Sequence, residues 1–155
     1  MTASFVIDAS VVVEFLAPGR HGDAADRILG GLAWPTPLEL IAPDLLLLEV
    51  AEAMRKLALR KAISVAAADR SVSSLSQLAI GTIASGALLV EAWTLRDHMT
   101  LYDASYAALA RALERPLVTV DRKLLRACSD VEIEAFAADD AGFGRILTAL
   151  EQASG

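Results

Sequence analysis

An α/β fold with a mostly parallel central sheet follows from three features of the sequence. Short β-branched runs alternate with longer stretches of helical periodicity, the order that builds parallel strands joined by helical crossovers. The chain is 55% hydrophobic but only 5% aromatic, a composition of small aliphatic side chains suited to a sheet covered on its faces by helices. At 155 residues it fits one domain, spanning 1–155, large enough to bury most of the surface its unfolded form exposes.

The elements follow in order. Ser4 to Ile7 reads as a strand ending in the carboxylate of Asp8, and Ser10 is placed to cap a helix over Val11 to Leu16 that Pro18-Gly19 ends. A second helix runs from about Gly22 to Leu29, closed by Gly30-Gly31, and Leu38 to Ala42 is a buried strand stopped by Pro43. Asp44 caps a helix over Leu45 to Leu59, whose Leu46, Val50, Ala53, Met54 and Leu57 recur at helical spacing, with Arg55, Lys56, Arg60 and Lys61 toward its negative end. Ser64 opens a helix through Leu78 with a wet face of Asp69, Arg70, Ser73, Ser74 and Gln77. A short strand near Ile80 to Ile83 and a helix from about Gly86 to Asp97 follow. Thr100 restarts a helix over Leu101 to Leu113, where Tyr102, Tyr106, Leu109, Ala110 and Leu113 recur at steps of three and four, and which ends before Pro116. Leu117 to Val120 is a strand with Asp121 at its end, Arg122 to Ala127 a short basic helix, Val131 to Phe136 an alternating edge strand, and Ala141 to Gln152 an amphipathic tail.

Several function classes drop out. A net charge of −6 argues against nonspecific adhesion to nucleic acid, which depends on neutralising phosphates with Lys and Arg. Cys128, the lone cysteine, forms no internal disulfide, fits a reducing cytoplasm and reads as a buried hydrophobe. The apolar stretches around Leu45 to Val50 and Ile80 to Val90 are interrupted by Glu49, Ser85 and Gly86, short of the about 20 residues a membrane helix needs. No signal sequence is expected, because Phe5-Val6-Ile7 meets an acid too soon. His21 and His98 have no metal-ligand spacing, the glycines form no phosphate loop, and Ser10, Ser105 and Ser129 have no histidine nearby in the sequence.

What remains is a set of carboxylates. In an open parallel sheet ligands gather outside the carboxyl ends of the strands, so Asp8 and Asp121 point to the functional face. Each has a plainer reading: Asp8 as a helix-start residue, Asp121 as a complement to the next helix's dipole or a partner of Arg122 or Lys123. Glu49 lies on a helix face with Leu45, Leu46 and Ala53 and has no basic residue a turn downstream, whereas Glu52 has Lys56 at i+4 and reads as its solvated neighbour. Asp103 reads equally as the third residue of a capping box opened by Thr100. Three or four such acids holding Mg²⁺ or Mn²⁺ is a usual design for phosphodiester chemistry.

Four stretches taken together carry a resemblance: Phe5-Val6-Ile7-Asp8-Ala9-Ser10-Val11, Leu46-Leu47-Leu48-Glu49-Val50-Ala51, Thr100-Leu101-Tyr102-Asp103-Ala104-Ser105-Tyr106, and Leu117-Val118-Thr119-Val120-Asp121-Arg122-Lys123-Leu124. In order and spacing they resemble the PIN-domain ribonucleases, specifically the VapC toxins of bacterial toxin–antitoxin pairs, from Phe5 to about Phe136. The resemblance implies a three-layer α/β/α fold and metal-dependent endonucleolytic cleavage of RNA. It implies an acidic pocket of Asp8, Glu49, Asp103 and Asp121, with Asp8 and Asp103 as direct Mg²⁺ ligands, Mn²⁺ as a substitute, and Ser10 and Thr119 as hydrogen-bonding supports. It further implies an antitoxin that covers the pocket, and a homodimer. Many relatives carry Asn where this chain has Glu52. Arg20, Arg111, Arg115, Arg122, Lys123 and Arg126 are candidates to flank the pocket and hold a phosphate backbone. The alternatives are a phosphoacceptor signalling domain, which calls for an adjacent acid pair after the first strand and a lysine after the last, and a non-catalytic interaction domain that keeps only the fold.

Overall fold

The computed structural model describes residues 3–35 and 37–153. Five parallel strands, β1 (Ser4–Ile7), β2 (Glu39–Pro43), β3 (Ile80–Ile83), β4 (Leu117–Thr119) and β5 (Ala135–Ala137), form one sheet in the order β3-β2-β1-β4-β5. Parallel strands need crossovers, and helices supply them: α1 (Ala9–Leu16), α2 (Gly22–Gly30), α3 (Leu45–Leu59), α4 (Val65–Leu75), α5 (Ser85–Thr94), α6 (Leu101–Leu113), α7 (Arg122–Asp130) and α8 (Ala141–Gln152). These helices flank the sheet in a three-layer α/β/α arrangement, as expected from the sequence. On one side α1 packs on α2 and α3, and α3 carries α4; α6 crosses β1, β2 and β4, with α5 laid over it.

Burial follows chemistry. Strand β1 lies between β2 and β4, and all four of its residues are buried. Every residue of α6 from Ala104 to Ala110 is buried, so the middle of this helix is enclosed on all sides. Its four alanines in that run let sheet and α5 approach closely without a void. Gly31 is needed for a similar reason: a Cβ there would stand 2.5 Å from Leu38 Cδ1, the residue that leads into β2. Cys128 is buried as expected, and burial, with the charges of Asp103 and Asp8 adding to it, pushes its thiol up to about 11.

Several boundaries differ from the sequence expectation. Helix α1 begins at Ala9, and Asp8 rather than Ser10 is its N-cap, because Asp8 keeps extended backbone (φ −81°, ψ 149°) and accepts from the Ser10 N–H. Gly30-Gly31 close α2 as expected, with Gly31 as its C-cap, and a 3-10 turn over Gly31–Ala33 follows directly. Pro43 belongs to β2, paired in register with Ile83, and Asp44 makes no side-chain cap on α3. Its carboxylate instead accepts from the Ser85 N–H at 2.9 Å and from the Ser85 hydroxyl, tying the starts of α3 and α5 together. Helices α4 and α5 stop earlier than their periodicity suggests, at Leu75 and Thr94. Glu132 takes a left-handed conformation (φ 57°), so the alternating stretch from Val131 cannot be a strand; β5 starts at Ala135, pairs parallel with β4, and α7 runs on past Ala127 to Asp130. Tyr102 faces solvent, off the buried stripe of α6.

The tail helix is part of the core. Phe143 of α8 is fully buried, edge-on to Phe5 of β1 and stacked on Phe136 of β5, each at 5.4 Å between centroids. Arg27 of α2 donates to Gly144 O and Thr148 Oγ1, fastening α8 from outside. Phe143→Ala is expected to cost about 3–5 kcal/mol of unfolding free energy in urea titration. A loss below about 1 kcal/mol would mean that α8 is only loosely attached.

Candidate functional site

Strand order places the site. Because β2 and β3 extend the sheet to one side of β1 while β4 and β5 extend it to the other, the end of β1 beside the end of β4 is a topological switch point, where a crevice opens. Asp8 follows β1 there and Asp121 stands two residues beyond β4.

Asp8 is 5% exposed, an ionisable group in the core. Its Oδ2 accepts from Ser10 Oγ at 2.5 Å, Thr119 Oγ1 at 3.0 Å and the Ser10 N–H at 3.3 Å. The direction of those hydroxyl bonds is determined by their other partners. Val120 N–H donates to Ser10 Oγ at 3.2 Å and Asp121 N–H donates to Thr119 Oγ1 at 2.9 Å; an N–H can only donate, so each hydroxyl accepts there and keeps its own proton for Asp8. Oδ2 is thus saturated, and Oδ1 has no protein donor among the described residues. Ser10 and Thr119 thus both donate to Asp8 and stand 3.3 Å from each other.

The remaining acids arrive from three helices. Glu49, half-buried on α3, accepts from the Tyr106 hydroxyl of α6 at 2.8 Å through Oε1. Asp103 sits in the first turn of α6, where its N–H donates to Thr100 Oγ1 at 3.2 Å, so the capping relation read from the sequence holds on the Thr100 side. Asp121 is the N-cap of α7 and accepts from the Lys123 and Leu124 N–H groups through Oδ1, at 2.7 and 3.2 Å. Capping and site membership are compatible here, since each cap uses a backbone group or one oxygen of a carboxylate.

Electrostatics ties these acids into one neighbourhood. Burial pushes the Asp8 carboxyl above the usual range, the hydrogen bonds from Ser10 and Thr119 pull it back, and the charge of Asp103 raises it further. Glu49 is raised by burial, eased by Tyr106, and raised again by Asp8 and Asp103. Asp103 is raised by burial, eased by Thr100, raised by Asp121 and lowered by Lys123. The ion pairs among the described residues use other carboxylates, those of Glu52, Glu91, Asp97, Asp139 and Glu151. Glu52 is bound to Arg55 and Lys56 on the outer side of α3, as its spacing suggested.

An all-oxygen donor set with surplus negative charge fits a hard divalent cation. Among the described residues, however, no group of three or more His, Cys, Asp or Glu is drawn closely enough to hold a metal ion as placed. The set is loose rather than a cage. Mg²⁺ suits such a set, because it retains several waters and takes only one or two carboxylates. Of the candidate backbone-binding cations, Arg111 is paired with Glu91 and Arg122 with Asp139; Lys123 is the one whose charge acts on Asp103. No helix among the described residues is long and apolar enough to cross a membrane.

The raised acids make a testable demand on stability. The unfolded chain loses its Asp8 proton in the ordinary carboxylate range, whereas the folded chain loses it only at higher pH, so folding is penalised increasingly as pH climbs between the two and fully above both. Asp8→Asn is therefore expected to melt above the wild type in EDTA at pH 7.5, and to lose that advantage at pH 3, where the acid is protonated in both states. An Asp8→Asn variant that melts below the wild type at pH 7.5 would show that the hydrogen bonds outweigh burial.

Comparison with known proteins agrees with this geometry. Residues 5–129 match the profile of the PIN domain family. The chain is 38% identical over 123 residues to Ribonuclease VapC1 of Mycobacterium tuberculosis, covering 79% of this chain and 89% of the relative. It is 36% identical over 122 residues to Ribonuclease VapC9 of the same species, covering 77% and 87%. Among solved structures, PAE2754 from Pyrobaculum aerophilum superimposes with a TM-score of 0.64 at 26% identity, covering 98% of this chain and 99% of that one. VapBC2 from Rickettsia felis, solved bound to a DNA fragment from its promoter, shares the fold with a TM-score of 0.61 at 15% identity, covering 86% and 98%. The parallel sheet, the acids at its switch point and these likenesses identify the chain as a member of the PIN-domain family, of the VapC type.

Proposed function

We propose that this chain is a Mg²⁺-dependent endoribonuclease acting as the toxin of a VapBC-type toxin–antitoxin pair, built as one domain over residues 1–155. The observation that carries the reading is the buried carboxylate of Asp8 beside Glu49 and Asp103, each raised by burial and by a neighbouring acid, and none ion-paired among the described residues. A protein retains such a cluster at a cost to its stability, and a bound divalent cation relieves it.

Asp8 and Asp103 would hold the ion, Asp8 through the Oδ1 that its hydrogen bonds leave open, and Mn²⁺ would substitute for Mg²⁺. When bound, the ion supplies Lewis acidity, making a water acidic enough to attack phosphorus and offsetting charge on the scissile phosphate. Ser10 and Thr119 keep Asp8 aimed by donating to its other oxygen. Glu49 and Asp121 complete the acidic rim, and Asp121 also steadies the first turn of α7. Lys123, in that turn, is positioned to meet an RNA phosphate near Asp103.

The proposed partners are an antitoxin and a second copy of the chain, in the cytoplasm, where the thiol of Cys128 stays reduced. Exposed apolar side chains support partner binding. Leu59, Val65 and Val72 border a hollow of about 300 Å³ between α3 and α4, and Leu89, Val90 and Trp93 project from α5.

Calorimetric titration of Mn²⁺ and Mg²⁺ into the wild type, Asp8→Asn and Asp103→Asn tests the site, and cleavage of a mixed RNA pool with and without EDTA tests the activity. Both variants are expected to lose metal binding and to cut RNA more than about a hundredfold more slowly, beyond the 10- to 100-fold typical of losing an outer-shell partner. Undiminished cleavage by Asp8→Asn, or cleavage indifferent to EDTA, would sink the proposal.

A further inference from the structure

Tyr106 is the one large polar side chain buried in the middle of α6, with its ring fully enclosed and its hydroxyl 2.8 Å from Glu49 Oε1. Its spacing reads as simple core packing, one helical turn beyond Asp103. A phenol in the core is costly unless its hydroxyl finds a partner, and Phe would fill the same space without that demand. The hydroxyl also lies beside the backbone of Ala9, the residue after Asp8. One side chain of α6 thus reaches both the β1–α1 junction and α3.

The consequence falls on Glu49. A glutamate on a helix has several rotamers, and this one has no ion pair or other hydrogen bond among the described residues to select between them. The Tyr106 hydroxyl engages Oε1 alone, and the Glu49 carboxyl lies within the electrostatic reach of Asp8 and Asp103. Helix α6 therefore presents Asp103 and, three residues on, the group that anchors the acid from α3. The pattern matches that of Asp8, whose Oδ2 is occupied by hydroxyls while Oδ1 is open.

We propose that Tyr106 is a positioning residue for the acidic pocket, holding one oxygen of Glu49 so that the other faces the cation-binding side. This rests on the metal-dependent reading above. Tyr106→Phe preserves the ring and removes only the hydroxyl, so the core should stay packed; its apo melting temperature and circular dichroism verify that.

The test is Mn²⁺ affinity measured by calorimetry on the full chain, in a cycle of wild type, Tyr106→Phe, Glu49→Gln and the double variant. Tyr106→Phe is expected to weaken binding about 10-fold, the lower end for loss of an outer-shell partner. In the Glu49→Gln background the same change should matter less than about twofold, because the group it positions is gone. Glu49→Asp is an independent probe: it keeps the charge but shortens the reach to Tyr106, and should weaken binding to a similar degree. Wild-type affinity in Tyr106→Phe or in Glu49→Asp overturns the inference. An equal loss from Tyr106→Phe in both backgrounds also overturns it, since that indicates a general effect on packing. Absence of Mn²⁺ binding to the wild type would remove the acidic-pocket reading itself, and this inference with it.

Discussion

The bond from Thr119 Oγ1 to Asp8 Oδ2 joins the end of β4 to the end of β1, and the architecture of the site depends on it. A carboxylate 5% exposed is costly to bury without compensation. The compensation comes from two hydroxyls whose protons are directed inward by the N–H groups of Val120 and Asp121. Those two amides exit β4 just as its ladder with β1 ends, so the same turn that terminates the strand orients the hydrogen bonds that hold Asp8. Strand order makes this possible. Had β4 followed β3 on the far side of β2, Thr119 would face a different strand end and Asp8 would have no donor from it.

Helix starts provide a second, weaker form of compensation. Asp8 caps α1, Asp103 lies in the first turn of α6, and Asp121 caps α7, so three of the four acids sit at the positive ends of helix dipoles. That placement offsets part of the repulsion but does not cancel it: burial and neighbouring charge leave Asp8, Glu49 and Asp103 all raised. Glu49 has no helix start nearby and depends on Tyr106 instead. These acids are thus steadied by different means, according to the element each comes from.

Charge is distributed unevenly over this acidic chain. Glu52, Glu91 and Asp139 are occupied by Arg55, Arg111 and Arg122, which fixes those arginines in surface ion pairs. Such pairs contribute little to stability. Their effect is on which cations remain for other use: Lys123, in the first turn of α7, is not among the ion-paired residues described and lies where its charge acts on Asp103.

Local chemistry was legible in the sequence. Strand runs ending in Asp8, the Leu46, Val50 and Met54 stripe of α3, the Ser64 and Thr100 caps, and the pairing of Glu52 with Lys56 all rest on residues a few positions apart, and the structure has them. The motif resemblance extended this to the fold class, because spacing shared with a family carries tertiary information that one chain's periodicity does not. Three things were decided only by the tertiary structure. Asp44 caps across to Ser85 rather than its own helix, since β2 and β3 end side by side. The stretch from Val131 to Glu134 is not a strand despite its alternation, because Glu132 turns the backbone left-handed before β5 can pair. Tyr106 reads as core by spacing and is core by burial, yet its hydroxyl meets Glu49 57 positions away. Periodicity reports which face of an element is buried; which polar atom waits on the other side of that face depends on how the elements stack, and that is determined only when the sheet is assembled.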